Sequence, residues 1–102
     1  MALFQAQLGT SVTTVFDPTA DSAVTTLFLC NTHSSAITVT LYLINGGGTP
    51  DDTNAIWKDI SIASKDTFVM NNERIILAAA DFIKGIASTA SKVTVTGTYT
   101  TI

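Results

Sequence analysis

The chain has 102 residues, 46% of them hydrophobic and only 13% charged, with a net charge of −3. That length suits one domain, and the apolar share is enough for a core and too high for a disordered chain. The acidic balance and the scattering of Lys58, Lys65, Arg74, Lys84 and Lys92 exclude a basic stripe for nucleic acid and disfavour an anionic membrane surface.

The opening Met1-Ala2-Leu3-Phe4-Gln5 has no basic start, no long apolar stretch and no small-residue cleavage site. The expectation is synthesis in the cytoplasm without a signal peptide. No apolar run approaches the roughly 20 residues of a membrane span, so no membrane partner is expected. Short β-forming runs then follow one another at 3–8, 11–16, 23–30, 36–44, 56–63, 66–70, 74–78, 82–87 and 92–101. The breaks between them carry turn chemistry. Asp17-Pro18 presets a turn, the polar 31–35 segment competes with a ladder, and Asn71-Asn72 suits a tight hairpin. The longest loop runs over 45–54 and opens with Gly46-Gly47-Gly48.

Two segments alternate strictly. In 37–43 the odd positions are apolar and the even ones are Thr or Tyr, and 93–100 does much the same. Alternation buries one face of a strand and lines the other with hydroxyls. Helix formers stand together only at 77–81, too short to stand alone. The reading is an all-β fold: an antiparallel β-sandwich, jelly-roll-like, of about eight to nine strands, with residues 1–102 as a single domain. The inward set should include Val24, Phe28, Ile37, Val39, Leu41, Leu43, Ile60, Ile62, Phe68, Ile75, Leu77, Val93 and Val95.

No constellation carries readable chemistry. Cys30 and His33 are the single Cys and the single His, too few for a zinc site, and no third group orients them as a catalytic pair. A lone Cys permits no internal disulfide and fits assembly in a reducing compartment. Asp51-Asp52, with Thr49, Thr53 and Asn54, could offer oxygens to calcium but lacks the spacing of a calcium loop; Asp17 and Asp21 read the same way. Gly46-Gly47-Gly48 lacks the Gly-Lys-Ser/Thr continuation of a phosphate loop, and Glu73 is the only Glu. Catalytic residues, metal ligands and cofactors are therefore assigned to none, and the protein is not expected to be an enzyme. A cupin-like enzyme would need clustered histidines that this chain cannot supply. The Thr94, Thr96, Thr98, Thr100 row resembles that of ice-binding solenoids, but one row does not make their flat array.

What remains is a surface. The charged share is about half of the roughly 25% of an average soluble domain. So few charges give little to keep neighbours apart, which implies that other protein covers part of the surface. Candidate interface residues are Leu3, Phe4, Tyr42, Trp57, Thr94, Thr96 and Thr98. If Ile56, Lys58, Ile60 and Ile62 share one face, Trp57 points outward, free to stack on a sugar or enter a neighbour's pocket. The apolar start, within residues 1–10, is a candidate clamping or exchanged strand.

Three stretches carry a resemblance: 29–32 with 36–48, then 60–69, then 93–98. Ala79-Ala80-Asp81-Phe82-Ile83 also stands where similar chains place Gly-Asp-x-Ile, with Ala80 replacing the Gly. Together these segments resemble the small β-sandwich structural proteins of tailed bacteriophages, of the capsid cement or decoration type. They cover most of the chain from Val24 onward and encode strands and turns. The resemblance implies a virion location and contacts with the major capsid protein or other virion proteins. It also implies a homo-oligomer, a dimer or trimer. The alternative is a tail, baseplate or fibre module recognising a cell-surface glycan through Trp57 and the 45–54 loop.

Overall fold

A computed structural model describes residues 2–70 and 75–102 of the chain. These residues form strands and no helix, as their Thr, Val and Ile content favours. The strands are β1 (Ala2–Leu8), β2 (Thr13–Phe16), β3 (Ser22–Asn31), β4 (Ile37–Ile44), β5 (Ala55–Ile62), β6 (Thr67–Met70), β7 (Ile75–Leu77), β8 (Phe82–Ala87) and β9 (Val93–Thr101). Each matches one of the predicted runs.

The strands form two antiparallel sheets. The first runs β1-β9-β3-β6, with β7 also on β3; the second runs β2-β8-β4-β5. Met70 stands opposite Leu27 and Ile75 opposite Val24, so β6 and β7 follow one another along β3 in the same direction. Counted together as one strand position beside β3, they complete an eight-strand jelly roll. The hairpin expected at Asn71-Asn72, with Glu73 and Arg74, lies outside the described residues.

The core lies between the sheets. Val24, Leu27, Leu29, Val93 and Val95 enter from the first sheet, and Ile37, Val39, Leu41 and Ile83 from the second. Ile62 and Leu77 are buried with them, and Leu43, Ile60 and Ile75 pack partly buried against them. One member of the expected inward set is corrected, and a second faces inward only at the open side of the sandwich. Phe28 is 38% exposed and Phe68 is 36% exposed. Val24 pairs with Tyr99 while Thr26 pairs with Thr98, so Thr25 is one residue too many on β3. The Thr25 hydroxyl closes this bulge against Thr98 Oγ1 at 2.6 Å. The extra residue reverses the phase of the strand, placing Leu27 and Leu29 inside and Phe28 outside. Phe68 faces inward but at the open side of the sandwich.

Aromatic rings close both open sides. Phe4 stacks on Phe16 with centroids 4.3 Å apart, and Tyr99 lies 4.7 Å from Phe16. At the other side, Trp57 meets Phe68 edge-on at 5.1 Å. Asn31 is the large polar side chain of the interior. Its Nδ2 donates to the carbonyls of Ser35, Ile62 and Ala63 at 2.9–3.2 Å, and its Oδ1 accepts from the His33 amide at 2.8 Å. Asn31 thereby ties the end of β3 to the end of β5 in the opposite sheet.

Candidate functional site

The outer face of the first sheet is built by alternation. On β9, Val93, Val95 and Gly97 turn inward, so Thr94, Thr96, Thr98 and Thr100 turn outward. Leu3, Gln5 and Gln7 do so on β1, and Phe28 and Cys30 on β3 beyond the bulge. The ladder registers align these residues in cross-strand rows. One row reads Gln5, Thr96, Phe28, Val69; the next reads Gln7, Thr94, Cys30, Thr67; Leu3 stands beside Thr98 and Thr26. Ile76 on β7 extends the face beside Ala23.

No described residue in these rows is charged. Four are large and apolar in the open: Leu3, Phe28, Val69 and Ile76, with Leu3 at 65% and Ile76 at 69% exposure. The outer face of the second sheet differs. There Lys84 lies over the Phe82 ring, and Asp59 accepts from the Thr40 hydroxyl. Lys58 on the neighbouring edge strand pairs with Asp52 at 2.9 Å. Among the described residues charge is thus confined to one face and to the loops. The other face combines hydroxyls, amides and exposed apolar side chains, the composition of a surface to be covered.

Of the expected interface residues, Leu3, Thr94, Thr96 and Thr98 meet on this face. Phe4 does not: its ring lies between the sheets against Phe16. Tyr42 is buried, 8% exposed, on the second sheet. The outward Trp57 is corrected too. Val39 pairs with Ile60 but Leu41 with Trp57, so β5 carries an extra residue between them. Asp59 takes the left-handed conformation at φ 52°, and its amide donates to Thr40 Oγ1 at 2.9 Å. This bulge turns Trp57 to the same side as Ile60 and Ile62, where it packs against the core. The N-terminal strand pairs within its own chain, along β9 from Ala2 opposite Tyr99 to Leu8 opposite Val93.

Phe28, Val69 and Ile76 were not expected on a candidate surface. The signal is their place in the apolar triplets Leu27-Phe28-Leu29, Phe68-Val69-Met70 and Ile75-Ile76-Leu77, which make both faces of a strand apolar.

The loop carboxylates are engaged locally. Asp51 accepts from the Thr53 amide at 2.8 Å and from its hydroxyl, and these bonds lower its pKa. Asp52 raises the pKa of Lys58 by hydrogen bonding and charge. Among the described residues no three His, Cys, Asp or Glu side chains group as metal ligands. No helix of the described residues is long and apolar enough to cross a membrane. Cys30 sits half-buried on the uncharged face, while His33 lies in the β3–β4 loop. Comparison of the chain with protein-family models, with curated proteins and with solved structures gives no match.

Proposed function

We propose that this protein is a structural component of a bacteriophage virion, a capsid cement that acts by protein–protein contact and catalyses no reaction. The observation that carries this reading is the outer face of the first sheet, whose described residues carry no charge, with Leu3, Phe28, Val69 and Ile76 exposed on it. A cement subunit lies over the joints between major capsid proteins and adds buried area there. A sandwich with one face of hydroxyls, amides and exposed apolar side chains is suited to that work, because apolar burial drives association and these groups cost less to desolvate than ions. The resemblance of the 29–32, 36–48, 60–69 and 93–98 segments to phage structural proteins supplies the choice of partner.

The alternative, a tail, baseplate or fibre module that binds a glycan, loses its stacking platform. Trp57 packs on the core and against Phe68. The open depression beside the 45–54 loop is lined by Leu43, Asn45, Gly48, Asn54 and Ile56 and holds no aromatic ring.

The test is to mix purified protein with phage heads assembled without it. The wild type should sediment with the heads and raise the temperature at which they open. Phe28→Lys and Val69→Lys should fold normally and stay in the supernatant. Failure of the wild type to bind any head or tail preparation would overturn the reading.

A further inference from the structure

The two sheets present four edges, and three of them are blunted. Strand β2 has four residues, a register shift between Thr14 and Phe16, and Asp17 directly after it. Strand β5 carries two register shifts together with Lys58 and Asp59. On the far edge of the first sheet the register on β3 does not run through: Met70 stands opposite Leu27 and Ile75 opposite Val24, four intervening residues against two. Such bulges, charges and register breaks hinder an edge from pairing with another strand. Strand β1 has none of them. Its seven residues, Ala2-Leu3-Phe4-Gln5-Ala6-Gln7-Leu8, keep unbroken register with β9 and include no charge and no Pro.

We infer that β1 pairs antiparallel with β1 of a second copy across a twofold axis at Gln5, joining two first sheets into one continuous sheet. The occupant is a second copy because the strand complements itself. Full overlap of the seven residues sets Gln5 opposite Gln5, Leu3 opposite Gln7, Phe4 opposite Ala6 and Ala2 opposite Leu8. Residues of equal parity meet, so the inner faces of both copies stay inner. The two Gln5 amides can bond each other, the large Phe4 faces the small Ala6, and no like charges oppose. Such a contact is isologous and closes at two subunits. Each β1 stays in its own sheet, so no strand is exchanged. The pairing also makes the two uncharged faces continuous: Val69, Phe28, Thr96 and Gln5 of one copy run on into Gln5, Thr96, Phe28 and Val69 of the other. The inference rests on the edge alone and holds or fails independently of the virion reading.

The test uses the purified full chain. Light scattering should give twice the 10.7 kDa chain mass, and Gln5→Lys, which places two cations at the axis, should return it to 10.7 kDa with the melting temperature of a folded domain. Cysteine pairs then read the register in a Cys30→Ser background. Gln5→Cys should crosslink to itself under mild oxidation. Gln7→Cys should not, since two such residues lie four positions apart, about 14 Å. A mixture of Leu3→Cys and Gln7→Cys proteins should crosslink to each other. A wild type that stays at the single-chain mass at its highest soluble concentration overturns the inference. So does a dimer that Gln5→Lys leaves intact, or equal crosslinking by Gln7→Cys and Gln5→Cys.

Discussion

The ring of Phe4 occupies the space that any side chain at Gly97 would need. The two residues are cross-strand partners on β1 and β9, and a Cβ built on Gly97 would overlap the ring carbons of Phe4. Gly97 stands between Val95 and Tyr99 on the inward face of β9. A glycine here leaves a gap in an otherwise apolar row, and the Phe4 ring fills it while stacking on Phe16 of the other sheet. One close approach thus holds the edge strand β1 to its own sheet and locks that sheet to its neighbour.

Gly97→Ala should therefore destabilise the fold by about 1–3 kcal/mol, because the ring must leave a packed site. The cost should largely vanish in a Phe4→Ala background, where the added methyl meets no ring. Urea denaturation of the two single variants and the double variant measures this coupling. Strictly additive costs would show that the contact is not the source of the effect.

Leu41 and Phe28 provide a second comparison. Leu41 is fully buried against Gly85, whose missing Cβ leaves room for its methyl groups, whereas Phe28 lies on the outer face. Leu41→Ala should cost about 2–5 kcal/mol. Phe28→Thr should cost under about 1 kcal/mol, since it keeps a good strand former on an exposed face. Equal losses in chemical denaturation would mean that β3 is read in the wrong phase.

Strand positions were legible because alternation is a local property. The 37–43 and 93–100 segments show it directly, and β4 and β9 stand there. Strand phase was legible only where no bulge intervenes. Even alternation turns Phe28 inward and, if it holds along β5, Trp57 outward, and in each case it fails across a bulge, at Thr25 or beside Asp59. A bulge depends on the partner strand and on one side-chain bond, Thr25 to Thr98 or Asp59 to Thr40, across a large sequence separation. Neither bond is visible in a single segment. The same reason hid half of the candidate face. The Thr row of β9 announced itself, but its neighbours Phe28 and Val69 join it only through the sheet order.

Asn31 should be a stabilising polar residue in spite of its burial. Asn31→Ala removes the donor shared by the Ser35, Ile62 and Ala63 carbonyls. The expected loss is about 2–3 kcal/mol, the cost of leaving buried carbonyl groups without a partner. Asn31→Asp keeps the size but presents an acceptor to those carbonyls, so it should rescue nothing at neutral pH. Thermal melts of both variants check this, and near-native stability of Asn31→Asp would show that the Nδ2 bonds contribute little.

Asp51 gives the 45–54 loop a pH dependence. The Thr53 hydroxyl and amide hold its carboxyl below the ordinary value. A carboxyl lowered in the folded state contributes order that is complete above its unfolded value and is lost as pH falls through the lowered folded value. The Thr53 amide should therefore lose its hydrogen-bonded chemical shift only as pH falls below the ordinary carboxylate range. Thr53→Ala should move the Asp51 titration, followed by NMR of its carboxyl carbon, upward toward the ordinary range. An unmoved titration would assign the shift to another cause.

Trp57 is the single Trp of the chain, so its fluorescence reports one environment. Its indole packs against the core and edge-on to Phe68, where the first and second sheets meet at the β5–β6 side. Emission should be blue-shifted in the folded protein and move to the red on unfolding. Trp57→Ala should cost about 2–3 kcal/mol, less than a fully enclosed Trp because the ring is only partly buried. Phe68→Ala should shift the emission to the red without unfolding the domain, since it removes the aromatic neighbour of the indole. Titration with soluble glycans should leave the emission unchanged, because the indole packs against the core and Phe68 and does not stand out as a platform. A saturable change on adding a sugar would instead place a ligand at this side of the sandwich and return the glycan-binding reading to first place.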